Sequence, residues 1–139
     1  MIGIFGAGSI GCHVGGMLAA AGEQVVMVGR PAMAARLGDG MSLSRLDGPV
    51  VRLPASQFTF STEPEALADC ATVLVCVKSG DTEQAGRLLG PVIATGATVV
   101  SMQNGIGNAR LLREALPGRT VLGAMVPFNV AQIGPDRFH

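Results

Sequence analysis

Short apolar runs alternate with stretches of helical spacing along the whole chain. Met1–Phe5 is brief and almost continuously apolar, as a strand buried on both faces of a parallel sheet should be. From Ile10 to Ala21 the residues Ile10, Val14, Met17, Leu18 and Ala21 recur at helical intervals, and Gly22 ends the helix. Gln24–Gly29 is a second strand. Pro31 suits the first turn of a short helix that reaches Leu37 and closes at Gly38. Met41–Leu53 breaks the alternation, because two strand-like runs flank Asp47-Gly48-Pro49 and predict a hairpin. Gln57–Ser61 is a short strand, and Thr62-Glu63-Pro64-Glu65 carries a capping-box pattern that starts a short helix. Ala71–Val77 is the clearest buried strand. Asp81, with Gln84 three residues on, opens a helix to Leu89. Ala97–Met102 is another strand, Asn108–Leu116 a helix stopped by Pro117-Gly118, and Thr120–Val126 the last clear strand.

This alternation predicts an α/β fold: a Rossmann-type, doubly wound parallel sheet with helices on both faces and a small hairpin insertion. At 139 residues the chain makes one domain, 1–139, long enough to bury a core. Its ending does not fit so well. Ile133–His139 reads as a turn and the start of a returning strand, with nothing to cap it, so a truncated chain is expected. Ala124–Ile133 holds no charged residue. That predicts an exposed edge over Val126–Ile133 and a chain that self-associates or forms a homo-oligomer.

Composition narrows the function classes. Apolar residues make up 48% of the chain and charged ones 14%, and the formal net charge is zero. A neutral chain gives no support for nucleic-acid binding. No apolar run reaches membrane-spanning length, and no basic segment precedes an apolar one as in a secretory signal. Cys12, Cys70 and Cys76 are odd in number and lack metal-ligand spacing, so they read as reduced thiols in a cytoplasmic protein. Arginine occurs nine times and lysine once, as Lys78.

The candidate chemistry begins at Gly6-Ala7-Gly8-Ser9-Ile10-Gly11, a G-x-G-x-x-G sequence with a strand before it and a helix after it. In that setting the glycines turn the chain and bring backbone N–H groups against a pyrophosphate at a helix N-terminus. The second strand ends at Arg30. An acid commonly binds the ribose hydroxyls near this place, yet none occurs between Gln24 and Gly38. A guanidinium can instead hold a ribose 2′-phosphate, so the pair of features points to the phosphorylated dinucleotide. Lys78-Ser79-Gly80 and Gln103-Asn104-Gly105 follow two buried strands. Ligands of such sheets bind beyond the carboxyl ends of the strands, which places Lys78 and Asn104 beside the cofactor groove. Asn104 offers both a donor and an acceptor for a ribose or substrate hydroxyl. His13 and Cys12 lack catalytic partners and read as packing residues.

With these residues in view, the chain resembles the N-terminal domain of the ketopantoate reductase family. The resemblance runs through IFGAGSIGCHVGGMLAAAG, VGR, VCVKSGDTEQA and MQNGIGN and covers essentially all 139 residues. The glycine loop alone is shared by many families; the ordered set of loop, arginine, lysine and Gln-Asn-Gly is more specific. The resemblance implies that Gly6, Ala7, Gly8, Ser9, Ile10 and Gly11 cradle the pyrophosphate of NADPH and that Arg30 takes its 2′-phosphate. It implies that Lys78 contacts the cofactor side of the groove and that Asn104 lies near the nicotinamide and the substrate. It also implies reduction of a small 2-keto acid, ketopantoate, to pantoate for pantothenate and coenzyme A synthesis. The catalytic acid would then lie in a helical C-terminal domain absent from this chain, leaving no catalytic residue here. Two departures bear on which keto acid fits: Gly80, where the family often has a bulky residue, and the apolar run Ala124–Asn129. A non-enzymatic nucleotide-sensing domain is the alternative, with a methyltransferase third. Both ordinarily carry an acid at the second strand end, which Arg30 replaces.

Overall fold

Backbone hydrogen bonding sorts the alternating pattern into ten strands and four α-helices, in a computed structural model that describes residues 1–139. The strands are β1 (Ile2–Phe5), β2 (Val25–Val28), β3 (Met41–Leu43), β4 (Val51–Leu53), β5 (Thr59–Ser61), β6 (Thr72–Val75), β7 (Thr98–Ser101), β8 (Thr120–Gly123), β9 (Gln132–Gly134) and β10 (Arg137–Phe138). The helices are α1 (Ser9–Ala20), α2 (Pro31–Arg36), α3 (Thr82–Leu89) and α4 (Asn108–Ala115).

Six strands form one parallel sheet in the order β5-β2-β1-β6-β7-β8. The chain winds outward from β1 in one direction, then returns and winds outward from β6 in the other. This is the predicted doubly wound arrangement, and it opens a crevice between the carboxyl ends of β1 and β6. Strand periodicity divides the core into two. Ile4, Val25 and Met27 join a cluster with Cys12 and Met33 from the α1 and α2 side. Phe5, Val26, Val28, Val73, Val75 and Val99 join the opposite cluster with Leu89 of α3 and Leu112 of α4. The capping box predicted at Thr62 does not form. Pro64 takes the first position of a 3-10 turn, Pro64–Leu67, so the cap falls on Glu63. The Ser61 hydroxyl accepts the Glu63 N–H instead, at 3.0 Å.

The hairpin is present, with Met41 opposite Leu53, but it is more than an insertion. β10 adds beside β3 in parallel and β9 folds back on β10, giving a second sheet in the order β4-β3-β10-β9. The expected returning strand is present as β10, and it is paired on both sides, with β3 and with β9. Ser42 N–H donates to Asp136 O at 2.8 Å and Ser44 N–H to Phe138 O at 3.0 Å. Phe138 is fully buried, in the same cluster as Met41, Leu43 and Leu53. Helix α1 lies between the two sheets. A Cβ on Gly16 would come within 2.8 Å of both Leu43 Cδ1 and Met41 Sδ, so only glycine lets the small sheet approach this closely.

The edge expected over Val126–Ile133 shrinks to the outer strand β9 of the small sheet. β8 stops at Gly123, Val126 is buried, and only Gln132–Gly134 is strand, already paired on one side with β10. Ala131 and His139 exchange backbone hydrogen bonds at 2.7 and 2.8 Å. The large apolar side chains that reach solvent in this region are Met125, Phe128 and Ile133.

One ion pair clasps the small sheet. Arg52 Nη1 on β4 lies 2.6 Å from Asp136 Oδ2 in the β9–β10 turn and also donates to Ser42 Oγ at 3.0 Å. The Arg52 hydrogen bond holds the Asp136 carboxyl below its ordinary value of 3.8. A folded-state pKa below the unfolded one means that the unfolded chain binds the proton more readily. The pair's contribution is then complete above about pH 4 and disappears as pH falls through the lowered value. Arg52 is exposed and Asp136 partly so, and water screens the pair, so it amounts to roughly 0.5 kcal/mol. Arg52→Met should lower the melting temperature slightly at pH 6 and by less at pH 2, which thermal denaturation at the two pH values checks.

Candidate dinucleotide site

The glycine loop sits where β1 ends, and its backbone is tied to β2. Gly6 N–H and Ala7 N–H both donate to Val28 O, at 3.0 and 2.9 Å. Gly6 has φ +92°, and a Cβ there would lie 2.7 Å from Val77 N, so both conformation and space demand glycine. A Cβ on Gly11 would lie 2.6 Å from Gly6 O, which is why α1 can start so close to the strand. Gly8 is different, since nothing lies within 4 Å of its would-be Cβ. The first helical bond of α1 is Cys12 N–H to Gly8 O, at 2.8 Å. The N–H groups of Ser9, Ile10 and Gly11 have no backbone partner, and the first turn carries no acid. Free donors at a helix N-terminus, beside an open cradle at Gly8, are the features that a pyrophosphate needs. The residues present fit a dinucleotide.

Arg30 follows β2, next to the loop, and caps α2. It is exposed and makes no ion pair. Its guanidinium is therefore uncommitted at the strand end where a ribose would lie. Lys78 follows β6 and is likewise exposed and unpaired. Asn104 follows β7 with its side chain in solvent. Its backbone carbonyl is held by Ser79 Oγ at 2.7 Å and Asn108 Nδ2 at 2.9 Å. The fold thus gathers the loop, Arg30, Lys78 and Asn104 at the carboxyl edge of adjacent strands, as the sequence suggested. A Cβ on Gly80 would meet nothing within 4 Å, so the groove is open beside Lys78.

A buried polar cluster escaped the sequence reading. Thr82, Ser101, Gln103 and Asn108 are all buried, and they hydrogen-bond to one another and to the backbone beneath Lys78 and Asn104. The available signal was polar residues just past two buried strands. The thiols hold no chemistry here: burial pushes Cys12 and Cys76 up to about 12, which keeps both protonated. His13 lies outside the groove. Its ring centroid is 6.4 Å from that of Phe128, and its Nδ1 is buried without a partner. Burial lowers its pKa, against an opposing backbone contact from Phe138. It lines a cavity of about 960 Å³ with Met17, Arg45, Asp47, Phe128 and His139, to which none of the four predicted groove elements contributes.

The family description "Ketopantoate reductase PanE/ApbA" matches residues 2–139. The chain belongs to the ketopantoate reductase family. A 2-dehydropantoate 2-reductase of Halobacterium salinarum is 36% identical over 132 residues, which is 94% of this chain and 42% of that relative. The crystal structure of a PanE/ApbA family ketopantoate reductase from Ralstonia eutropha superposes with a TM-score of 0.88 at 34% identity, covering 99% of this chain and 45% of the other. A glycerol-3-phosphate dehydrogenase [NAD(P)+] of Xanthomonas euvesicatoria is 32% identical over 137 residues, 97% of this chain and 39% of its own. The chain spans less than half the length of each of these relatives. No helix is long and apolar enough to cross a membrane.

Proposed function

We propose that this chain is the NADPH-binding part of a cytoplasmic 2-keto-acid reductase that converts 2-dehydropantoate to pantoate, a step toward pantothenate and coenzyme A. The observation that carries the reading is Arg30, uncommitted at the end of β2 beside a glycine loop with free N–H donors, in a chain of the ketopantoate reductase family. The bound cofactor would supply the hydride. The chain's own residues would bind and orient it. Ser9, Ile10 and Gly11 N–H groups would hold the pyrophosphate, and Arg30 the 2′-phosphate. Lys78 and Asn104 would flank the nicotinamide end, with Asn104 also reaching the keto acid. Lys78 makes no ion pair and would serve in binding, and none of these residues would transfer the proton.

The chain has no Trp or Tyr, so binding is best followed through the fluorescence of the reduced nicotinamide. Saturable NADPH binding with much weaker NADH binding is expected. Equal affinities, or none for either, would overturn the reading. The likeness to a glycerol-3-phosphate dehydrogenase makes dihydroxyacetone phosphate the control substrate whenever activity is assayed.

A further inference from the structure

The parallel ladder between β6 and β7 ends at Val75 and Ser101, with one more bond from Met102 N–H to Val75 O at 2.9 Å. Lys78 and Asn104 lie beyond it, on loops that no ladder holds. Side chains take over that task. The Thr82 hydroxyl, with no exposed surface, accepts from Gln103 Nε2 at 2.7 Å. It lies 2.9 Å from both Asn108 Oδ1 and Ser79 O and can donate to one of them. Gln103 Nε2 also points to Lys78 O, at 3.5 Å. Asn108 Nδ2 donates to Asn104 O at 2.9 Å and to Ser79 Oγ at 3.1 Å. The output ends of this cluster are thus the backbone of Lys78, its neighbour Ser79, and Asn104.

We propose that Thr82 is a positioning residue: its buried hydroxyl, through Gln103 and Asn108, fixes the Lys78 loop against the Asn104 loop across the nicotinamide end of the groove. The proposal rests on the cofactor-binding reading above. A connected polar cluster in a low-dielectric site defines one geometry, whereas apolar packing at the same place would stabilise without fixing hydrogen-bond directions. Geometry of this kind matters where the loops carry binding groups, since supporting contacts hold such groups within fractions of an ångström.

Lys78 is the sole lysine, which gives a direct probe. Reductive methylation with ¹³C-formaldehyde labels its Nζ and the α-amino group of Met1, and a methylated lysine keeps its charge. In the unsubstituted chain the Lys78 methyl signal should shift on addition of NADPH. Thr82→Val keeps the shape and loses the hydroxyl. It should weaken NADPH and NADH by the same factor, on the order of tenfold, and reduce the Lys78 shift measured at saturating NADPH. Thr82→Ser should restore both. Should Thr82→Val fail to fold, Gln103→Met, which keeps the volume and removes the amide donor, carries the same expectation. Unchanged affinities and an unchanged Lys78 shift in the folded variant would overturn the positioning role, whatever happens to its melting temperature. Failure of the unsubstituted chain to bind either cofactor would instead overturn the function reading, and this proposal with it.

Discussion

Replacing Phe138 by alanine will destabilise the chain by about 3–5 kcal/mol, the cost of emptying a fully buried phenylalanine site. Phe138 has no exposed surface and packs with Met41, Leu43 and Leu53 under the small sheet. Its backbone is paired on both sides, with Leu43 of β3 and with β9. Truncation to alanine leaves a void between α1 and that sheet. Gly16 already lies against Leu43 and Met41 of that sheet, which leaves α1 little room to move inward. For a chain of this size the loss corresponds to a melting temperature lower by roughly 10–15 °C. Phe138→Leu should recover more than half of it. Thermal unfolding followed by far-ultraviolet circular dichroism checks both variants. A loss under about 1 kcal/mol for Phe138→Ala would mean that β10 is not part of the folded core.

That strand also shows where sequence reasoning stops. The large sheet was legible because its strands are short apolar runs separated by helices, and parallel pairing then follows from chain direction. The hairpin Met41–Leu53 was legible from its turn. The joining of β10 to β3 was not. Arg137–Phe138 is two residues long, too short for any periodicity, and its partner lies almost a hundred positions earlier. Only the tertiary fold brings them together. The same holds within the site. Gly6–Gly11, Arg30, Lys78 and Asn104 announce themselves by residue type at strand ends. Thr82 and Asn108 look like ordinary helix-start residues, and Gln103 like the first half of a turn. Their burial, and so their meaning, depends on β6 and β7 being neighbours. His13, read as packing, does pack, against Phe128. The cavity it lines could not be read from a helix face alone.

Arg30→Ala is expected to weaken NADPH binding by about 2 kcal/mol, close to thirtyfold, and to leave NADH binding unchanged. The size follows from losing charge-assisted hydrogen bonds to one phosphate, partly offset because the site is open to solvent. The selectivity follows from position. Arg30 caps α2 at the end of β2, and the chain from Gln24 to Gly38 carries no acid that could bind ribose hydroxyls in its place. The glycine loop is anchored to Val28 O through Gly6 and Ala7, independently of the arginine side chain, so the pyrophosphate site survives the substitution. Lysine at this position should restore only part of the affinity, since a point charge replaces a paired donor fork. Raising the salt concentration should narrow the gap between the two cofactors in the unsubstituted chain and have little effect in Arg30→Ala. Fluorescence titration of each cofactor at two ionic strengths tests all of these outcomes together. Equal losses for NADPH and NADH would show that Arg30 supports the loop rather than reads the 2′-phosphate.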